Sequence, residues 1–144
     1  MSLFTAIGIS ASGMEAQRAR AELITENLAN ADTTRTPEGG PYRRKDAVFS
    51  TAPVAASFRE VLESAAGVGG GVALSEVTVD TRDPEKRYLP GHPDADGEGY
   101  VAFPHIDPAT EMVDLMGASR GYQANVAAIS AVKDMLARSI DIFR

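Results

Sequence analysis

The sequence predicts an α+β fold in which long helices at the two chain ends pair as a coiled-coil core around a small central β-rich region, giving an elongated molecule. Three observations carry this expectation. Apolar residues recur on a 3-4 spacing near the amino end and every seven residues near the carboxy end. Between them the chain changes to short runs of β-branched and aromatic residues, punctuated by glycine and proline. At about 1.5 Å per residue the carboxy-terminal helix would be roughly 55 Å long, whereas a compact domain of this size has a radius of gyration of about 14 to 15 Å.

The first stripe consists of Leu3, Ile7, Met14, Ala21, Ile24, Leu28 and Ala31, with Ser10 and Gln17 as its polar members. It runs into DTTRTPEGGP at 32–41, where Pro37, Gly39, Gly40 and Pro41 do not sustain helical geometry. DAVFST, VALSEVTVD, KRYL and GYVAF, all within 46–104, read as strands. The segment ASFREVLESA at 56–65 reads as a short helix, because Phe58, Val61 and Leu62 share one helical face, and GVGGG at 67–71 reads as its stop and as a flexible connector.

The second helix is marked by Asp107 as N-cap and Pro108 at the first helical position, where proline loses an amide that had no partner. Leu115, Tyr122, Ile129, Leu136 and Phe143 then recur every seven residues, with Met112, Val126 and Ile140 between them and Ser119 and Lys133 interrupting. The chain thus divides into a discontinuous helical core, 1–34 and 107–144, and a loop and β-rich outer region, 35–106. Small and polar seam members leave apolar surface for neighbours. Gly8, Gly13, Gly117 and Gly121 each cost about 1 kcal/mol relative to alanine inside a helix, which signals either close backbone packing or tolerated weakness.

With 144 residues, Lys+Arg 14, Asp+Glu 20 and a formal net charge of -6, the chain has the size of one domain and no electrostatic case for binding nucleic acid or anionic membranes. The absence of cysteine removes disulfides, thiol catalysis and cysteine-ligated zinc. The amino terminus has no basic residue before Arg18 and no continuous apolar run, so a cleaved secretory signal is not indicated, and no stretch approaches the roughly 20 apolar residues of a membrane span.

No cofactor or catalytic motif emerges. Asp94, Asp96, Glu98 and Gly99 resemble the first half of a calcium loop, but His105 occupies the twelfth position where a bidentate glutamate belongs, so an acidic turn is the expectation. His92 and His105 are the only histidines, and a zinc site without cysteine would need both plus nearby carboxylates, so none is expected. GVGGG lacks the lysine and hydroxyl residue of a phosphate loop, and no G-x-S-x-G elbow is present. Arg43, Arg44 and Lys45 form the one compact basic cluster, beside Tyr42. It reads as a solvated loop or as a contact with the acidic stretch 75–114 of a neighbouring subunit.

The stretch NLANADTTRTPEGGPYRRK at 27–45 resembles the signature of the flagellar axial proteins of the rod, hook and hook-associated region. YLPGHPDADGEGYVAFPHID at 88–107 and EMVDLMGASRGYQANVAAISAVKDML at 111–136 resemble a proximal-rod subunit in particular. The resemblance implies a structural subunit, not an enzyme, that binds no cofactor. It would be exported without a cleaved signal by the flagellum's type III apparatus and assembled in the basal-body rod that crosses the periplasm. Its partners would be copies of itself, other proximal-rod proteins and the distal-rod protein. The terminal helices would form the inner core of a hollow, torque-transmitting shaft.

On that basis the expected assembly residues are Leu3, Ile7, Met14, Ile24, Asn27, Leu28 and Asn30 at the amino end. At the carboxy end they are Leu115, Tyr122, Asn125, Ile129, Leu136, Ile140 and Phe143, and Tyr42, Arg43, Arg44 and Lys45 would make loop contacts. Gly117 and Gly121 stand where less flexible residues are expected. The alternatives are another rod or hook-region axial subunit and a cytoplasmic coiled-coil adaptor.

Overall fold

The structure, a computed structural model, describes residues 3–53 and 70–142. Phe143 and the helix expected at 56–65 lie outside the described residues. Among those described, the elements in order are α1 (Leu3–Ala29), β1 (Lys45–Pro53), β2 (Gly70–Val79), β3 (Glu85–Tyr88), β4 (Tyr100–Phe103) and α2 (Pro108–Ile142). The architecture is the expected α+β one, with helices at both ends and a small β region of two sheets between them.

Each helix boundary has a local cause. Asp107 accepts hydrogen bonds from the Ala109 amide (3.1 Å) and the Thr110 hydroxyl (2.7 Å), satisfying the first turn of α2. These donors, the hydroxyl foremost, hold its carboxyl below the usual range. At the same end of the helix pair, α1 stops at Ala29, short of the expected Ala31, because Asn30 turns its side-chain amide onto the Glu26 carbonyl (2.9 Å). The Thr33 amide then bonds the Asn30 carbonyl (3.0 Å), and Gly39 and Gly40, at φ of 92° and 79°, reverse the chain at a cost that a side chain would raise. The Tyr42 amide bonds Thr33 (3.0 Å), returning the chain to the end of α1.

β1 and β2 pair antiparallel, with a bulge between Val48 and Phe49 that leaves Ser75 outside the ladder. The Ser75 hydroxyl bonds the Val48 carbonyl (3.1 Å), so the extra residue repairs its own interruption. Gly70 and Gly71, expected in a flexible connector, instead open β2, opposite Pro53 and Ala52. A partner strand is enough to hold glycine extended. The hairpin lies along α1: the Val72 amide donates to Ser12 Oγ (3.1 Å) and the Arg20 guanidinium stacks 5.1 Å from the Phe49 ring centroid. β3 and β4 form a second hairpin, and Val101 and Phe103 of β4 are buried.

α1 and α2 run antiparallel in a single register. The amide of Asn125 lies over Gly13, Gln17 lies over Gly121, and Asn27 bonds Glu111, so each step along α1 matches an equal step back along α2. The seam is made of small residues, with Ala16, Ile24, Ala118 and Val132 buried. A Cβ on Gly13 would sit 2.9 Å from Asn125 Oδ1, and one on Gly121 would sit 3.0 Å from Gln17 Cδ. Close packing therefore accounts for these two glycines, whereas a Cβ on Gly117 meets nothing within 4 Å.

The buried stripe of α2 departs from the expected heptads. Leu115, Ile129 and Leu136 are half-buried as that stripe requires, but its other half is Glu111, Ala118, Asn125 and Val132, not Met112, Val126 and Ile140, which are exposed together with Tyr122. Rotation by about one residue brings the small and polar positions against the glycines of α1. Hydrophobicity alone selects the wrong edge of the stripe.

Urea unfolding of the isolated chain should separate the two glycine classes. Gly117→Ala is expected to stabilise by about 0.5 to 1 kcal/mol through helix propensity. Gly13→Leu is expected to destabilise by about 1 to 3 kcal/mol by forcing the helices apart.

Candidate functional site

Two features of the helix pair are candidates: a polar joint at one end and the outer face of α2. The joint forms where Tyr42–Lys45 return beside the end of α1 and meet the first turns of α2. Asn27 is fully buried there. Its Oδ1 accepts from the Tyr42 hydroxyl (3.1 Å) and the Lys45 amide (2.9 Å), and its Nδ2 donates to the Lys45 carbonyl (2.8 Å) and to Glu111 Oε2 (3.3 Å). That is the whole bonding capacity of a primary amide.

Glu111 is 1 % exposed, and a carboxylate so placed must be paired. Its second oxygen, Oε1, accepts from Arg44 Nε at 2.5 Å. Arg44 also donates to Asp46 Oδ2 (3.1 Å) and lies 3.8 Å from Asp114 Oδ2. Lys45 Nζ pairs with Glu26, and Arg43 donates to the Asp80 carbonyl (3.0 Å). Each member of the basic cluster thus has an acceptor within its own chain. Among the described residues every buried side-chain nitrogen and oxygen has a hydrogen-bond partner.

Electrostatics follow from these contacts. Burial, reinforced by the carboxylates of Glu26 and Glu111, pushes the Tyr42 phenol up to about 12. The guanidinium and amide of Arg82 hold the Asp80 carboxyl down at about 2. The acidic turn is engaged in a similar way. Asp96 Oδ1 accepts from the amides of Tyr100 and Glu98 (2.9 Å each), which lowers its pKa, and Asp94 accepts from the Thr34 hydroxyl (2.8 Å) with Arg35 at 3.7 Å. These two aspartates tie the β3–β4 loop to itself and to the loop after α1. His92 Nδ1 accepts from the Asp94 amide (3.1 Å), while His105 is exposed.

The assembly residues expected from sequence are distributed over both features. Ile24 and Asn27 are buried, Ile7, Met14, Leu28 and Asn30 are half-buried, and Leu3 is exposed at the start of α1. On α2, Leu115, Asn125, Ile129 and Leu136 are half-buried toward α1, while Tyr122 and Ile140 (69 % exposed) lie outside. With about 3.6 residues per turn, Met112, Met116 and Val126 share an exposed band roughly a third of a turn from the packed face, with the exposed Tyr122 and Ile140 along its edge. Glu111 was missed by sequence reasoning. Its signal was phase, since it lies seven residues before Ala118.

Asn27→Ala is expected to cost about 3 kcal/mol in urea unfolding, because it leaves the Tyr42 hydroxyl, the Lys45 backbone and a Glu111 oxygen without their partner. A loss below about 1 kcal/mol would show that the joint is hydrated. Alkaline titration adds a second check. The Tyr42 phenol ionises near 10 when unfolded and at about 12 when folded. Its contribution is therefore intact below pH 10 and lost as pH rises from 10 to 12, at up to about 1.4 kcal/mol per pH unit. Tyr42→Phe is expected to remove that part of the slope.

Comparison with known proteins places these features. Residues 7–35 match the family model described as flagella basal body rod protein, and residues 98–142 match the one described as flagellar basal body rod FlgEFG protein C-terminal. The flagellar basal-body rod protein FlgC of Bacillus subtilis is 42% identical over 150 residues, covering 99% of each chain. FlgC of Borreliella burgdorferi is 35% identical, covering 100% of this chain and 99% of its own, and FlgC of Escherichia coli O6:H1 is 39% identical, covering 99% and 98%. The two segments that the family models match hold nearly all of α1 and the whole of α2, and the likeness to the relatives spans the whole chain, so this chain belongs to the FlgC family of flagellar basal-body rod proteins, structural subunits of the rod.

Proposed function

We propose that this chain is a subunit of the proximal part of the rod and that it assembles through the outer face of its paired terminal helices. The observation that carries the reading is the exposed apolar band on α2: Met112, Met116, Tyr122, Val126 and Ile140 lie beside the helix face that is committed to α1. Such a band, flanking a seam already filled, needs a partner surface to leave water. Burial at about 25 cal/mol per Å², repeated at every subunit, is the adhesive energy available to it.

The partners are copies of this chain, the other proximal-rod proteins and the distal-rod protein, with the type III export apparatus engaged during secretion. The role is mechanical. Torque passes between interlocked helices and no bond is made or broken. The polar joint serves this role from inside the subunit, since a shaft element must not let its own helices slide under load. Leu3 and Ile7 belong to the assembling end of the helix pair, and Tyr122 and Ile140 are the residues of the expected set most available to a neighbour.

A charge placed on the band tests this. Val126→Asp, expressed in a strain lacking the native protein, is expected to leave the isolated subunit's helix content and unfolding within experimental scatter of the parent while abolishing swimming and complete basal bodies. Complete basal bodies containing the variant would overturn the reading.

A further inference from the structure

We propose that the buried cluster of Asn27, Arg44 and Glu111 is a register lock: it selects one sliding position of α2 along α1 rather than supplying the attraction between them. The inference concerns the single chain and goes beyond its place in the rod.

The seam itself discriminates poorly between registers. Its contact positions include Gly13, Ala16, Ala118 and Gly121 beside the buried Ile24 and Val132, with Gln17 and Asn125 as the polar pieces laid over the two glycines. Sliding α2 by one heptad keeps the same faces together: Ala128 arrives over Gln17 where Gly121 had been, a contact relieved by moving that flexible side chain, and Ala118 arrives opposite Asn27 where Glu111 had been. Shape alone resists this weakly.

The cluster resists it strongly. Asn27 is fully buried with both donors and both acceptors used, and Glu111 is 1 % exposed with each oxygen bonded. A slip of seven residues would set an amide against the Ala118 methyl and leave Arg44 and Glu111 to find other partners. Buried polar groups are costly mainly when unpaired, so the penalty falls on every register but one. The loop is read at the same time, because Lys45 bonds Asn27 through its backbone and Arg44 bonds Glu111. The lock therefore closes only when α1, the returning loop and α2 are all in place.

Disulfide mapping in the full-length chain tests the proposal, and the sequence contains no cysteine to interfere. Gln17→Cys with Gly121→Cys reports the described register, and Gln17→Cys with Ala128→Cys or Asp114→Cys reports a heptad slip in either direction. In the otherwise native chain only the first pair is expected to close within one molecule. In the triple variant Asn27→Leu/Arg44→Met/Glu111→Leu, helix content should persist, the first pair should lose yield several-fold, and a slipped pair should appear. Arg44→Lys, which keeps a cationic donor for Glu111 and leaves the Asn27–Glu111 bond untouched, should retain the native pattern. Three results would overturn the proposal: a triple variant that still closes only the first pair, a triple variant that does not fold, or slipped pairs in Arg44→Lys.

Discussion

A buried primary amide must satisfy four hydrogen-bonding sites in a space closed to water, and at Asn27 that requirement brings three distant parts of the chain together. The Tyr42 hydroxyl, both backbone groups of Lys45 and the Glu111 carboxylate are its only route to satisfaction, and Glu111 in turn requires Arg44. None of these residues can be placed independently of the others. The end of α1, the course of the returning loop and the rotation of α2 are one constraint.

The consequence is felt far from the joint. Because Glu111 faces Asn27, the residues at heptad intervals after it, Ala118, Asn125 and Val132, face α1 as well. These are small or polar positions, so the helices approach closely over Gly13 and Gly121 rather than interlocking through large side chains. The larger apolar residues of α2 are then turned outward. A rotation of one residue would have buried Met112 and Val126 inside the subunit and left little for a neighbour to grip. The polar joint thus decides which surface the subunit offers.

The fold was legible in the sequence where local chemistry dictates it. Asp107 and Pro108 announced the start of α2, the four short runs marked β1 to β4 in order, and Pro37 to Pro41 marked the end of helical structure after α1. The phase of the seam was not legible, because Met112, Val126 and Ile140 are more apolar than Glu111, Ala118 and Asn125, and hydrophobic periodicity rewards them. What defeated that inference was a tertiary bond between Asn27 and Glu111, invisible to any local rule. Gly70 and Gly71 were misread for a related reason: glycine disfavours a strand on its own, but Pro53 and Ala52 supply the ladder. The basic cluster was read as a solvated loop or a contact with a neighbouring subunit, whereas within the chain its partners are Glu111, Glu26 and the Asp80 carbonyl. Those lie far apart in sequence and could not be chosen from charge alone.

The central claim is that the polar joint directs one face of α2 inward and leaves the other for assembly. Thiol labelling measures it most directly, since an introduced cysteine is the sole thiol of the chain. Val126→Cys and Val132→Cys would each be labelled with a maleimide in the isolated subunit and in purified basal bodies. The account expects Val126→Cys to react quickly in the free subunit and to become protected in the rod, with Val132→Cys slow in both. Equal reactivity of the two positions in the free subunit, or a Val126→Cys that stays as reactive in the rod as outside it, would contradict it.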